Sequence, residues 1–136
     1  MWIESEEKAY TFLFIIKERV SLGKVVISLL GEYIQVSTTV ERREDGERIA
    51  GVLVEARLAA CVQIVGPILS TYWWQGAIEK GEEWLLLIKT ERGLYPRVEE
   101  VIHELHPYDL PEVIAVPLIL GSRDYLDWMR DELVKI

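Results

Sequence analysis

The sequence predicts an α+β fold, and three observations lead to it. Residues 33–38 alternate between polar and apolar side chains, which is the pattern of a half-buried strand. Residues 41–60 and 94–105 instead repeat their apolar side chains at helical spacing. Residues 69–90 are rich in aromatic, β-branched and aliphatic side chains around a polar centre, which is typical of a long β-hairpin.

The composition limits the class of protein. The chain has 136 residues, half of them hydrophobic, and a formal net charge of −8. A chain of this length fits one domain that buries roughly two-thirds of its unfolded surface, and its apolar content excludes a disordered chain. Because a net-negative surface is repelled by phosphates, we expect no nucleic-acid partner.

Cysteine content and the N-terminal charges indicate the compartment. Cys61 is the single cysteine, so no disulfide can form within the chain, which fits a reducing compartment. Glutamates stand where a signal peptide would be basic. Charged residues interrupt the apolar stretch of residues 10–30, which is therefore not a spanning helix. We expect a cytoplasmic protein with no membrane partner.

The first βα unit consists of strand 33–38 and helix 41–60. Gly46 and Gly51 weaken this helix, each by about 1 kcal/mol relative to alanine; Gly51 can alternatively permit close packing on the sheet. The predicted apolar face consists of Ile49, Val52, Leu53 and Ala56.

The hairpin of residues 69–90 is the segment around which the fold is organised. The polar run 79–82 predicts its turn, and Gly76 predicts a bulge in the first arm. A preceding strand begins at residues 61–65 and is interrupted at Gly66 and Pro67. Because the tip extends beyond a small core and offers unpaired backbone groups, we expect it to pair with other copies of the chain.

The second half of the chain completes a repeated pattern. Pro96 suits the first turn of helix 94–105, and Pro107 ends that helix near Leu105. Residues 112–118 form a strand, with Pro117 indicating an edge or a strand end. Ser122 can cap a last helix. The predicted apolar face of this helix consists of Tyr125, Trp128, Met129 and Leu133. The order β-α-β-β-α-β plus a terminal helix is that of a ferredoxin-like sandwich.

Residues 1–31 form an N-terminal extension to a domain of residues 32–136. Helical spacing favours a helix over residues 6–20, although residues 12–16 suit a strand equally well. The extension is expected to be partly helical and to pack on the domain or on a neighbouring copy.

Several short motifs give the chain a family resemblance. They are LAACV at 58–62, YWWQGAIE at 72–79, IKT at 88–90, HPYD at 106–109, PEV at 111–113 and DYLDW at 124–128. In this order they closely resemble the CutA divalent-cation tolerance proteins, from about residue 33 to the C-terminus. The resemblance implies a ferredoxin-like homotrimer joined through the long hairpins, and a link to tolerance of heavy-metal ions, particularly copper. It implies no settled reaction.

Two histidines are the candidate metal ligands. Some bacterial members of the resembled family are assigned a copper site with a cysteine in strand one and a His-His pair. Here Ser37 and Leu105 occupy two of those positions, and only His106 matches. His103, three residues earlier, could assist it in binding Cu²⁺ or another divalent cation. The alternatives are a hydrogen-bonded structural His106 and an exposed, solvated His103.

A second set of candidates belongs to a cleft between subunits. Tyr72 and Trp74 share one face of a hairpin arm by alternation, and a buried Lys89 is expected to pair with a carboxylate. The full cleft set is Tyr72, Trp74, Lys89, Tyr108, Asp109 and Glu112. These residues either bind a small anion or metabolite or pack the interface. Glu82 and Glu83 are expected to be solvated, and Cys61 to be a buried small hydrophobe rather than a soft copper ligand.

Three hypotheses for the function follow. The first is a trimeric divalent-cation, notably copper, tolerance protein with weak metal binding and no certain cofactor. The second is a regulatory module, like the PII-like signalling proteins, that binds a small ligand between subunits. The third is a purely structural trimer. The chain carries no P-loop, HExxH or GxSxG motif, so we do not expect an enzyme.

Overall fold

The computed structural model describes residues 20–22, 25–27 and 32–135. The elements in these ranges, in chain order, are β1 (Val20–Leu22), β2 (Val25–Ile27), β3 (Tyr33–Val40), α1 (Arg43–Glu55), β4 (Cys61–Trp74), β5 (Ala77–Glu91), a 3₁₀ turn (Arg92–Leu94), α2 (Tyr95–Leu105), β6 (Ile114–Pro117), β7 (Leu120–Ser122) and α3 (Arg123–Glu132). The mixed α+β class is confirmed, with an antiparallel sheet and helices.

The main sheet has four strands in the order β4-β5-β3-β6, all antiparallel. The register pairs Val36 with Ile88 and Thr38 with Leu86, so these side chains share one face. That face is buried under α1 and α2, whose core residues are Ile49, Leu53, Val98 and Ile102. Pro117 ends the edge strand β6, as predicted.

The opposite face of the main sheet, here called the outer face, is covered at one end by α3. Leu126 and Met129 of this helix pack on Tyr33, and all three residues are buried. Farther along the same face, Ile114 and Val116 on β6 are exposed. The outer face therefore keeps an apolar area that the described part of the chain leaves uncovered.

The hairpin turn lies at Gln75 and Gly76, not at residues 79–82. Both turn residues have positive φ, 51° and 82°, which is the requirement of a two-residue type I′ hairpin. Pairing continues from Trp74 with Ala77 through residues 79–82, so the predicted turn and the bulge at Gly76 were wrong. The polar run 79–82 is an exposed part of β5 near the hairpin tip, and its exposure to solvent accounts for its polarity. The bulge lies instead between Val65 and Ile68.

Helix α1 ends at Glu55, five residues before the predicted end. Arg57 adopts a left-handed conformation with φ of 58°, which stops the helix just beyond its cap. Ile49 and Leu53 are buried as predicted, but Val52 and Ala56 are exposed. Gly46 completes the buried face, so the close approach to the sheet occurs there and not at Gly51.

Helix α3 begins as predicted but presents a different face. The Ser122 hydroxyl accepts the backbone N–H of Tyr125 at 3.3 Å, which confirms the cap. The buried side chains are Leu126 and Met129 in the helix and Leu133 just after it. Tyr125 and Trp128 are exposed, with ring centroids 5.4 Å apart. The predicted apolar face was wrong for these two aromatics, because Leu126, Met129 and Leu133 also follow i, i+3, i+7 spacing.

The N-terminal strands belong to a second, three-stranded sheet of order β1-β2-β7. β2 pairs antiparallel with β7, Val25 with Ser122 and Ile27 with Leu120. Val20 lies in β1, which corrects the end of the predicted helix 6–20; the rest of that helix lies outside the described residues. The division of the chain at residue 31 stays a prediction.

We predict opposite effects for the same substitution at two glycines of α1. A Cβ at Gly46 would lie 3.0 Å from Leu86 Cδ1 and 3.2 Å from Val40 Cγ2, both fully buried. Gly46→Ala should therefore lose about 1–3 kcal/mol of unfolding free energy to overpacking. A Cβ at Gly51 meets nothing within 4 Å, so Gly51→Ala should gain up to about 1 kcal/mol. Denaturant titration of both variants checks this, and equal effects would contradict the assigned packing.

Candidate functional site

His106 joins the end of α2 to the end of β3. It is the extended residue that follows the helix, as Pro107 predicts, and only 8% of it is exposed. The backbone N–H of Tyr108 donates to His106 Nδ1 at 3.1 Å. Nε2 therefore carries the proton and donates to the Thr39 carbonyl at 2.7 Å. Both ring nitrogens are occupied by these two hydrogen bonds.

Burial lowers the pKa of His106 below its ordinary value of 6.5. The Thr39 carbonyl and the nearby carboxylates of Asp45 and Glu83 act in the opposite direction but are weaker than the desolvation. The imidazole is therefore neutral at neutral pH, with a fixed tautomer. This state suits a residue that ties the loop after α2 to the sheet.

His103 does not form a pair with His106. It is exposed in the last turn of α2, and α2 ends at Leu105. His106 has φ of −74° and ψ of 134°, so the two residues lack the common helical face that i, i+3 spacing would give. Within residues 32–135, no group of three or more His, Cys, Asp or Glu side chains could hold a metal ion.

Tyr108 lies against His106 and interacts with acidic side chains. Its ring stands edge-on to the imidazole with centroids 4.7 Å apart, and its hydroxyl donates to Glu83 Oε2 at 2.9 Å. Burial, followed by the Glu83 hydrogen bond and the charges of Glu83 and Glu41, raises the pKa of the Tyr108 phenol. Burial, followed by the Glu83 charge, also raises the pKa of Glu112.

Glu83 is the residue that sequence reasoning missed at this site. Its register partner across the hairpin is Ile68, whereas Glu82 pairs with Leu69 on the other face. Glu83 is half-buried, and Glu82 is exposed as expected. The signal was available in the alternation along β5, which puts Glu83 on the outer face with Leu85 and Leu87.

The predicted cleft residues fall into separate groups within one chain. Tyr72 contributes to the raised pKa of Tyr108, and the Glu83 that accepts the Tyr108 hydroxyl also acts on Glu112. Lys89 lies six residues from Glu83 along β5, or about 20 Å at roughly 3.4 Å per residue. Trp74 adjoins the hairpin turn, and Asp109 is exposed in the loop after α2.

Lys89 lies in a polar group on the outer face. Its ammonium donates to Gln63 Oε1, so its side-chain partner among the described residues is an amide rather than the expected carboxylate. The register places Lys89 between Gln35 and Cys61. Cys61 is half-buried. Burial, followed by the interaction with Cys61, raises the pKa of Tyr125.

Comparison with known proteins identifies the family. The family model for the CutA1 divalent ion tolerance protein matches residues 34–132. The chain belongs to the CutA1 family. This family is named for tolerance of divalent ions and not for a reaction. The match includes β3 through α3 and therefore both histidines and all six predicted cleft residues.

Related sequences and structures agree with the CutA1 assignment. The divalent-cation tolerance protein CutA of Thermus thermophilus is 47% identical over 96 residues, which are 71% of this chain and 93% of that protein. Its solved structure has a TM-score of 0.73 and covers 75% of this chain and 99% of its own, at 44% identity. The chloroplastic CutA 1 of Oryza sativa is 44% identical over 98 residues, 72% of this chain but only 55% of the rice protein.

The CutA1 relatives come from different compartments. A solved CutA of Archaeoglobus fulgidus, with a TM-score of 0.72 and 35% identity over 74% of this chain and 97% of its own, is described as periplasmic, whereas the rice protein is chloroplastic. None of the helices in the described part of this chain is long and apolar enough to cross a membrane.

We predict that His106→Gln flattens the pH dependence of stability. Because folding lowers the pKa of His106, the unfolded chain takes up this proton first as the pH falls through about 6.5. The contribution of His106 to the free energy of unfolding is therefore complete above that pH. It is lost on acidification toward the lower pKa that His106 has in the folded chain. Glutamine offers a donor to the Thr39 carbonyl but does not titrate.

The measurement is the free energy of unfolding at about pH 8 and about pH 5.5, at one protein concentration. The loss on acidification should be smaller in His106→Gln than in the unmodified chain. His103→Gln is the matched control, because it removes an exposed histidine, and its pH dependence should stay unchanged. Equal slopes in all three proteins would contradict the lowered pKa of His106.

Proposed function

We propose that this chain acts as a homotrimeric, ferredoxin-like protein of divalent-cation tolerance, with the hairpins of neighbouring copies in contact. The observation that carries the proposal is the exposed apolar surface of the hairpin tip. Leu69, Trp73 and Ile78 are 70%, 72% and 60% exposed on one face of it. Such a patch on a small soluble chain indicates an interaction surface.

Backbone pairing supports assembly of several copies. β4 is fourteen residues long and pairs only with β5 among the described strands, so its other edge is open. A long apolar edge invites pairing with another chain. The exposed Ile114 and Val116 on the outer face would also be buried by a neighbouring copy. A second copy of this chain fits all three surfaces.

We propose that divalent cations, including Cu²⁺, bind only weakly to this chain. A metal at His106 would have to replace either the Thr39 carbonyl, whose bond is buried, or the Tyr108 N–H, whose bond is partly buried. His103 is exposed and has no such bonds to break, but a single imidazole is a weak site. The net charge of −8 favours cations near the surface.

A regulatory module that binds a small ligand is the second candidate function. It is favoured by the half-buried phenol of Tyr108 among Glu83 and Glu112, and by the Lys89 ammonium on the outer face. These groups are far apart within one chain, so a common pocket would need groups from two copies. A purely structural trimer is the remaining alternative, and a cytoplasmic location, which the single cysteine favours, is part of the proposal.

We predict that a charge at the hairpin tip disrupts the trimer. Trp73→Asp buries a carboxylate in the proposed interface, which costs several kcal/mol of association free energy. Light scattering at micromolar concentration should give three times the chain mass for the unmodified protein and a smaller mass for the variant. Leu110→Asp is the control, because Leu110 is also 72% exposed but lies in the loop after α2. A monomer mass for the unmodified protein would exclude the trimer.

We predict weak Cu²⁺ binding that depends on His103 more than on His106. Calorimetric titration of chelator-stripped protein should give weak heats that His103→Ala reduces and His106→Ala leaves in place. Tight binding that His106→Ala removes would contradict the hydrogen-bonded role of His106. If no saturable heat occurs in any of the proteins, the ligand-binding alternative is favoured, and a metabolite that raises the melting temperature would support it.

A further inference from the structure

Lys89 is a half-buried ammonium that has no counter-ion among the described residues. Within that part of the chain its side chain bonds to the amide oxygen of Gln63 and forms no salt bridge. Removing a charge from water without an opposite charge is costly. A neighbouring copy on the outer face, as in the proposed trimer, would remove still more water from Lys89. The ammonium therefore needs an anion that the described side chains do not supply.

The acidic side chains on the same face of β5 are engaged elsewhere. Glu91, the next residue along this face, lies 3.7 Å from Arg130, with Oε1 facing Nε. Glu83, toward the hairpin tip, accepts the hydroxyl of Tyr108 at 2.9 Å. Neither carboxylate is paired with Lys89, so the missing anion has to come from outside these residues.

Hydrogen-bond donors surround the ammonium of Lys89. Because an ammonium only donates, the amide oxygen of Gln63 faces it and the Gln63 NH2 group points away. Gln35 is the register partner of Lys89 on β3, and Ser37 follows on the same face. Among the described residues, no acceptor is bonded to the Gln63 NH2 group or to the Gln35 side chain. The group has donors in excess and lacks an acceptor.

The neighbours of this donor group limit the size of what can bind. On β4 the register partner of Lys89 is Cys61, which interacts with Tyr125 of α3. On the other side Leu87 lies between Ser37 and Gln63 in the register. The space between α3 and Leu87 therefore suits a small ligand, and apolar surroundings strengthen its attraction to the ammonium.

We propose that Lys89, Gln63 and Gln35 form a binding site for a small monocarboxylate. A carboxylate has two acceptor oxygens, so one can take the ammonium and the other an amide N–H. One ammonium balances one negative charge, whereas a phosphate group carries nearly two at neutral pH, and the chain's net charge of −8 opposes multiply charged anions. This inference rests on the ligand-binding candidate of the proposed function and names its ligand class.

The test is a titration of the full-length protein with sodium acetate at constant ionic strength. The side-chain NH2 signals of Gln35 and Gln63 in nitrogen–proton NMR spectra report on binding. We expect saturable shifts of these signals with acetate and none with acetamide, which has the same shape without the charge. The same titration with inorganic phosphate should give weaker binding than acetate.

Two lysine variants separate the site from general electrostatics. Lys89→Met should weaken acetate binding about tenfold or more, because it removes the charge-assisted hydrogen bond. Lys80→Met is the matched control. It also removes one positive charge from β5, but Lys80 is exposed near the hairpin tip, where it pairs with Thr71. Acetate affinity should stay unchanged in this control.

Gln63→Glu keeps the test decisive if Lys89→Met does not fold. A carboxylate at residue 63 would take the place of the ligand beside Lys89. The melting temperature without ligand should therefore rise, and the acetate-dependent shift of the Gln35 signal should disappear. An unchanged melting temperature together with an unchanged acetate shift would contradict the need of Lys89 for a carboxylate.

Several results would overturn the monocarboxylate site. They are the absence of saturable acetate shifts in the unmodified protein, equal responses to acetamide, tighter binding of phosphate, and equal weakening in both lysine variants. Light scattering on the same samples separates this inference from the proposed assembly. A trimer without acetate binding would mean that the site alone fails, and loss of that trimer in Lys89→Met would then assign the anion to a neighbouring copy. A monomer that binds acetate would mean that the assembly alone fails.

Discussion

The pairing of β3 with β5 is the constraint on which the rest of the structure depends. Its register puts Val36 and Ile88 on the face that α1 and α2 bury. Because side chains alternate along a strand, the same register puts Gln35 and Lys89 on the outer face. The core, the outer polar group and the position of Glu83 therefore all follow from a single alignment, and a slip of one residue would exchange the two faces.

The loop after α2 is held to this sheet by polar contacts. His106 spans from the Thr39 carbonyl to the Tyr108 N–H, and the Tyr108 hydroxyl reaches Glu83. Each bond is at least partly removed from solvent, where losing a partner costs about 1–3 kcal/mol. The histidine that family resemblance marks as a metal ligand thus has a sufficient structural role, which is the physical basis for expecting weak metal affinity. Burial, followed by the Glu83 charge, also raises the pKa of Glu112.

The described part of the chain leaves three surfaces exposed or unpaired. The hairpin tip is apolar and exposed, the outer edge of β4 is open within the described residues, and α3 covers only one end of the outer face. Association with other copies would satisfy these surfaces together. The β7 edge differs because β2 already occupies it.

Sequence by itself determined the α+β class, the Ser122 cap, the end of α2 before Pro107, and the shared face of Tyr72 and Trp74, but it did not predict the strand β7. These features depend on local periodicity, on proline and on capping chemistry, which act over a few residues. Only the tertiary structure decided the turn at Gln75 and Gly76, the buried face of α3, the partners of His106 and the selection of Glu83 over Glu82. Polarity in residues 79–82 fits an exposed strand as well as a turn, and two apolar sets fit α3 equally. The choice between such alternatives depends on which residues meet across the sheet, and that is a property of long-range packing that no local pattern contains.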